Sequence, residues 1–108
     1  MHSCALAEPG RILLLKEDIG RHNAMDRILG NCLLEDIHRE NTLLLTSGRA
    51  SSDMVFKVGR GGIPLLVSRS APTDLAIQIA ERAGITLVGY ARGRQMNIYA
   101  HPERVEED

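Results

Sequence analysis

Four short aliphatic runs organise this chain, and each runs out into a polar turn that carries arginine. Ile12 to Leu15 leads into Asp18-Ile19-Gly20-Arg21-His22, and Leu43 to Leu45 into Thr46-Ser47-Gly48-Arg49. Leu65 to Val67 leads into Ser68-Arg69-Ser70, and Leu87 to Tyr90 into Ala91-Arg92-Gly93-Arg94. Continuous runs of this kind suit strands buried on both faces. Between them lie stretches with helical spacing: Met25, Ile28, Leu29, Cys32, Leu33 and Ile37; then Met54, Val55 and Val58; then Leu75, Ala76, Ile79, Ala80 and Ala83. Strand and helix in alternation imply right-handed crossovers, hence an α/β fold with a largely parallel sheet. All carboxyl ends of such a sheet share one edge, so the four arginine-bearing turns are expected to converge there.

Punctuation residues place the elements. Glu8-Pro9-Gly10 reads as a turn, and Asp18 or Asn23 is placed to cap the first helix. Ser51 and Ser52 are placed to cap the second helix, which Gly59, Gly61 and Gly62 end. Pro72 opens the third helix and Gly84 closes it. Met96 to Tyr99 is a candidate fifth strand, and Val105 to Asp108 is an acidic tail. Met1 to Ala7 starts abruptly, with His2, Ser3 and Cys4 in a polar, flexible-looking segment beside small residues and without the polar lead-in of a natural domain start, as in a fragment of a longer protein. Residues 1–108 make one domain by length.

The expected edge suits a phosphate, because strand-to-helix turns expose unpaired N–H groups and arginine can clamp a diphosphate bidentately. Any single arginine would equally serve in an ion pair with a surface carboxylate. Eleven arginines stand against two lysines, which fits anion recognition or a genomic bias, while a net charge of −1 argues against a broad nucleic-acid surface. His22 suits either a proton shuttle or a hydrogen bond that orients its turn. Asp26 and Asp53 suit either a ribose or neighbouring arginines. Cys4 is a weak candidate for a reactive thiol, and Cys32 reads as core. The two cysteines make no disulfide framework, and scattered histidines without a short His or Cys pair argue against a metal site. With neither a signal peptide nor a membrane-length apolar run, the expected compartment is the cytoplasm, away from membranes.

Glu17 to Asp26, Thr46-Ser47-Gly48-Arg49 with Ser51 to Val55, Val67 to Thr73, Gly89 to Arg94 and Tyr99-Ala100-His101-Pro102 together resemble the FdhD/NarQ formate dehydrogenase accessory proteins. The resemblance implies a three-layer α/β/α sandwich similar to cytidine deaminases, and a homodimer. It implies a sulfurtransferase role, in which persulfide sulfur passes from a cysteine desulfurase to the molybdenum cofactor, as bis-molybdopterin guanine dinucleotide, before formate dehydrogenase receives it. The cofactor would be held transiently by Tyr90, Ala91, Arg92, Gly93, Arg94 and Gln95, with Arg21, His22, Arg49, Ser51, Arg69 and Ser70 as lining. Gly93-Arg94-Gln95 stands where the family often shows Pro-Gly-Arg, so either Arg94 or Gln95 takes the arginine position. The family's Cys-x-x-Cys is not in this sequence, so the chain is expected to be the C-terminal, cofactor-binding part of a longer protein, inactive alone. The His-x-Glu and Pro-Cys-x-x-Cys zinc signature of deaminases is also missing, so zinc and deamination are not expected. The alternative function is a non-catalytic chaperone that binds nucleotide or cofactor for a molybdoenzyme.

Overall fold

His2-Ser3-Cys4-Ala5-Leu6-Ala7-Glu8, whose first part is expected to be a flexible segment, forms a strand in the interior of the sheet. A computed structural model of the chain describes residues 2–35, 40–92 and 95–105. The elements are β1 (His2–Glu8), β2 (Arg11–Asp18), α1 (Arg21–Glu35), β3 (Leu43–Thr46), α2 (Ser52–Arg60), β4 (Leu65–Ser68), α3 (Asp74–Ala83), β5 (Thr86–Arg92), β6 (Gln95–Ala100) and a 3-10 turn, Pro102–Arg104. Their six strands form one sheet in the order β2-β1-β3-β4-β5-β6.

The sheet is mixed, which corrects the expectation of a largely parallel one. β1 runs antiparallel to both β2 and β3, β3, β4 and β5 run parallel, and β6 returns antiparallel to β5. The cause is local: Pro9-Gly10, with Gly10 at φ 82°, reverses the chain in a turn too short to join parallel strands. Two reversals through β1 restore direction, so β2 still points the same way as β3, β4 and β5. Four carboxyl ends therefore share one edge.

The crossovers β2→β3, β3→β4 and β4→β5 all step the same way along the sheet, so right-handed connections put their helices on one face. There Leu6, Leu44, Leu66 and Leu87 meet Met25 and Ile28 of α1, Met54, Val55 and Val58 of α2, and Ala76 and Ala80 of α3. The described residues thus form two layers. Alternate strand residues, Ala5, Leu15, Leu45 and Val67, line a hollow on the helix-free face.

Two further expectations are corrected. β2 is an edge strand and not buried on both faces, because β1 takes the interior place beside β3; Ile12 is 60% and Leu15 56% exposed. α3 turns Ala76 and Ala80 to the sheet, which leaves Leu75 54% exposed and Ala83 exposed. The caps of α2 and α3 are well formed: Ser51 Oγ accepts from Met54 N–H (3.4 Å), Thr73 Oγ1 accepts from Ala76 N–H (3.1 Å), and Gly84 adopts the left-handed conformation at φ 73°. At α1 the candidate caps lie elsewhere, since Asp18 accepts from Gly20 N–H (3.3 Å) and Asn23 sits inside the helix. Ile37 and the side chain of Leu33 lie outside the described residues. No described helix is long and apolar enough to cross a membrane.

Candidate functional site

At the carboxyl edge the turns after β3, β4 and β5 are stitched together by short hydroxyl side chains and main chain. Ser68 Oγ, fully buried, donates to Gly48 O (2.6 Å) and accepts from Ser70 N–H (3.0 Å), while Thr46 Oγ1 accepts from Gly48 N–H (3.1 Å). Main-chain bonds join Arg69 N–H to Thr46 O (3.2 Å), Thr73 N–H to Ala50 O (3.0 Å) and Tyr90 N–H to Ser70 O (3.3 Å). Buried polar groups must find partners, and here they find them without drawing on a charge.

The arginines then divide. Arg49 Nε donates to Ala71 O (3.2 Å), so its head braces the neighbouring turn. Arg69 is exposed and has no carboxylate within ion-pair distance among the described residues. It stands at the rim of a cavity of about 340 Å³ on the helix-free face, with Ser3 and Ser47 as further rim and Ala5, Leu15, Leu45 and Val67 as floor. That volume is at the lower end of the roughly 300–1,000 Å³ of small-molecule sites. An aliphatic floor under one unpaired guanidinium can take an anion that carries an apolar or planar body.

β5 passes close over the Ser70-Ala71-Pro72 turn because residue 89 is glycine. A Cβ there would lie 3.0 Å from Ser70 O, 3.1 Å from Pro72 Cδ and 2.9 Å from the Tyr99 ring. The next residue, Tyr90, takes φ 54° and leaves the β5–β6 ladder where its register shifts, with its side chain 45% exposed. A non-glycine residue held there stores about 1–3 kcal/mol of strain. Of the six residues expected to hold a cofactor, Tyr90 alone has a described side chain. Ala91 and Arg92 continue β5, Gln95 opens β6 opposite Arg92, and Gly93 and Arg94 lie outside the described residues.

Other expected site residues fall as follows. Arg21 and His22 open α1 beyond the end of β2, separated from the β3 turn by β1; His22 is half-buried, and the side chain of Arg21 lies outside the described residues. Ser51 is spent as the α2 cap, and Ser70 joins the β4 turn to β5 through its main chain. Asp26 pairs with Lys57 (3.0 Å) on the surface, and Asp53 is exposed in the first turn of α2. Cys4, expected in a flexible polar segment, is instead held in β1 at 1% exposure, and burial pushes its thiol up to about 12. Such a thiol is protonated near neutral pH and is a poor nucleophile. Cys32 is buried in the core.

The opposite edge holds a cluster that the sequence reading missed. The ring of His101 lies 2.8 Å from Glu81 O through Nε2 and 3.0 Å from the Glu103 carboxylate through Nδ1. Two acceptors call for two N–H groups, so the Glu81 carbonyl first and the Glu103 carboxylate second raise the pKa of His101 above its usual 6.5. Arg104 Nη1 donates to Gly84 O (2.6 Å) and Thr86 Oγ1 (3.1 Å), and Thr86 Oγ1 donates to His101 O (2.6 Å). Partners 15 to 20 residues apart leave no local pattern to read. Among the described residues no three His, Cys, Asp or Glu side chains group to hold a metal ion.

Comparison with known proteins places this architecture. A family model described as the FdhD/NarQ family matches residues 1–106. A sulfur carrier protein FdhD of Bacillus subtilis is 44% identical over 107 residues, 99% of this chain and 41% of that protein. The sulfur carrier protein FdhD of Saccharolobus solfataricus is 49% identical over 107 residues, 97% of this chain and 42% of that protein. A crystal structure of a candidate formate dehydrogenase accessory protein from Desulfotalea psychrophila superposes with a TM-score of 0.92 at 44% identity, covering 97% of this chain and 47% of that one. The chain spans about two fifths of the length of these curated relatives.

Proposed function

This chain belongs to the FdhD/NarQ family, and we propose that it supplies the part of a sulfur carrier protein that holds the molybdenum cofactor in its bis(guanine dinucleotide) form. In this reading the cofactor is cargo. A cysteine desulfurase provides persulfide sulfur, the sulfur passes to the cofactor, and formate dehydrogenase receives the product in the cytoplasm. Tyr90, Ala91, Arg92, Gly93, Arg94 and Gln95 hold a guanine nucleotide end, with Arg21, His22, Arg49, Ser51, Arg69 and Ser70 around it. The observation that carries the reading is Arg69, without a carboxylate partner among the described residues, above an aliphatic cavity and beside the strand end at Tyr90. The sulfur-bearing cysteine belongs to the portion of the relatives that this chain does not span, since Cys4 and Cys32 are both buried. A homodimer and a third layer over the helix-free face, giving the three-layer arrangement of cytidine deaminases, complete the proposal.

Titration calorimetry with GDP, as a stand-in for the guanine nucleotide end, tests the site. The expected result is binding by the chain and a loss of at least about tenfold in an Arg92→Ala, Arg94→Ala variant, the scale of one charge-assisted hydrogen bond. Equal affinity in both removes the assignment. The buried cysteines also suit a second reading, a chaperone that carries cofactor without sulfur chemistry. Full activity of the whole protein after every cysteine is replaced would select that reading.

A further inference from the structure

The outer strand β6 falls out of step with β5 and is then brought back into step. Leu87 lies opposite Ala100 and Val88 opposite Ile98, so β6 spends an extra residue, Tyr99, against one step of β5. Gly89 lies opposite Asn97 and Arg92 opposite Gln95, so β5 then spends three steps, through Tyr90 and Ala91, against two of β6. The two bulges have opposite sign and cancel. Bulges re-aim side chains at sheet edges and beside functional sites.

The first bulge has a visible cause. Successive strand residues point to opposite faces, yet Ala100 is buried in the core under the helices and the adjacent Tyr99 packs against that same core. The Tyr99 ring occupies the space left by the missing side chain of Gly89, where a Cβ would meet it at 2.9 Å. Two adjacent side chains on one face require an extra residue in the strand. The second bulge is strained: Tyr90 takes φ 54°, a conformation that suits glycine, and the 3.3 Å bond from its N–H to Ser70 O is long for an amide. It is forced by two fixed ends. At one, Thr86 Oγ1 donates to His101 O (2.6 Å) and accepts from Arg104 Nη1 (3.1 Å), which keeps Ala100 beside Leu87. At the other, Arg92 and Gln95 are paired with only residues 93 and 94 between them. An offset opened at Tyr99 has to be closed before Arg92.

We infer that Tyr99 is the positioning residue for Tyr90: its ring on Gly89 sets the offset, and the turn that carries Tyr90 out of the ladder is the compensation. Without the offset, the ladder between the same two ends closes regularly, with Tyr90 extended and opposite Asn97. Only the expected effect on a ligand rests on the proposed role of Tyr90.

Urea unfolding of Tyr90→Gly and Tyr90→Ala reads the geometry at residue 90 without a ligand. In the parent the glycine variant should unfold at the higher midpoint, because φ 54° suits glycine and strains alanine. In a Tyr99→Leu background the order should reverse, because glycine is the weaker residue in a regular strand. Tyr99→Phe keeps the ring and should keep the parent's order. Alanine level or ahead in the parent overturns the inference, as does an order that Tyr99→Leu leaves unchanged or Tyr99→Phe reverses. Should Tyr99→Leu not fold, amide exchange in the parent decides: the Tyr90 N–H and the amides of residues 98–100 should open with one free energy as urea is raised, and unequal openings overturn it. GDP affinity should fall at least about tenfold in Tyr99→Leu, the scale of one lost charge-assisted contact, and hold in Tyr99→Phe. Equal affinity in parent and Tyr99→Leu overturns the positioning role. A parent that binds no GDP counts against the proposed function, and the order of the two residue-90 variants then decides for or against Tyr99.

Discussion

The two edges of the sheet use the same kinds of residue in opposite ways. At the carboxyl edge, Thr46, Ser68 and the main chain satisfy one another across three turns, and Arg69 is left without a carboxylate partner among the described residues. At the amino edge the cations do the joining: Arg104 and His101 bind the carbonyl end of α3 and the start of β5. A cation that closes a helix end, where carbonyls lack partners, is part of the scaffold. A cation left over after short hydroxyls have met every local need is available to a ligand.

Three substitutions bear on that contrast. The largest effect belongs to Ser68→Ala, because the hydroxyl is fully buried and serves Gly48 O and Ser70 N–H together. Its loss should destabilise the chain by about 2 kcal/mol in urea unfolding and weaken GDP binding as the turns separate. A variant as stable as the parent would break the claim that hydroxyls hold this edge. Next comes a matched pair. Arg104→Ala should cost about 1 kcal/mol, whereas Arg69→Ala should stay within about 0.5 kcal/mol of the parent and act on binding alone. Equal costs would erase the distinction between the two edges.

The smallest effect is a pH dependence at His101. Its folded pKa is raised, so its contribution is complete below the ordinary 6.5 and disappears as pH rises through the folded value. Glu103 is lowered, by its own backbone hydrogen bond first and His101 second, so its contribution is present above 4.5 and disappears as pH falls through the folded value. The pair is therefore strongest in the interval between those limits. Thermal melts from acid to mildly alkaline pH should show a small gain across that interval, and His101→Gln should flatten it; an unchanged profile would take His101 out of the joining of the amino edge.

The part of the molecule from β3 to β5 was legible because its signals are local. Leu44 and Leu66 mark strands, Ser51 and Gly84 mark helix ends, and the α/β alternation follows from their order. β1 was not legible, since His2-Ser3-Cys4-Ala5 has small and polar residues and becomes a strand only through bonding to β2 and β3 on either side. Missing β1 also made β2 look like an interior strand and the sheet look parallel. Leu75 was misplaced because helical spacing fixes a stripe but not which of its margins meets the sheet. Of the site, the sharing of one edge by the strand ends was readable, but the fates of Arg49 and Arg69 depend on turns 20 residues apart.

The insertion of β1 has a metric consequence. Neighbouring strands are spaced by about 4.8 Å, so one strand interposed between β2 and β3 sets their carboxyl ends roughly 10 Å apart. The turns after β3, β4 and β5 succeed one another without such a gap. A compact anion can therefore be gripped within the second group alone, whereas a molecule that also touches His22 must bridge the width of β1. The fold carries a built-in ruler: under the proposed function, ligand length decides whether the first arginine-bearing turn takes part.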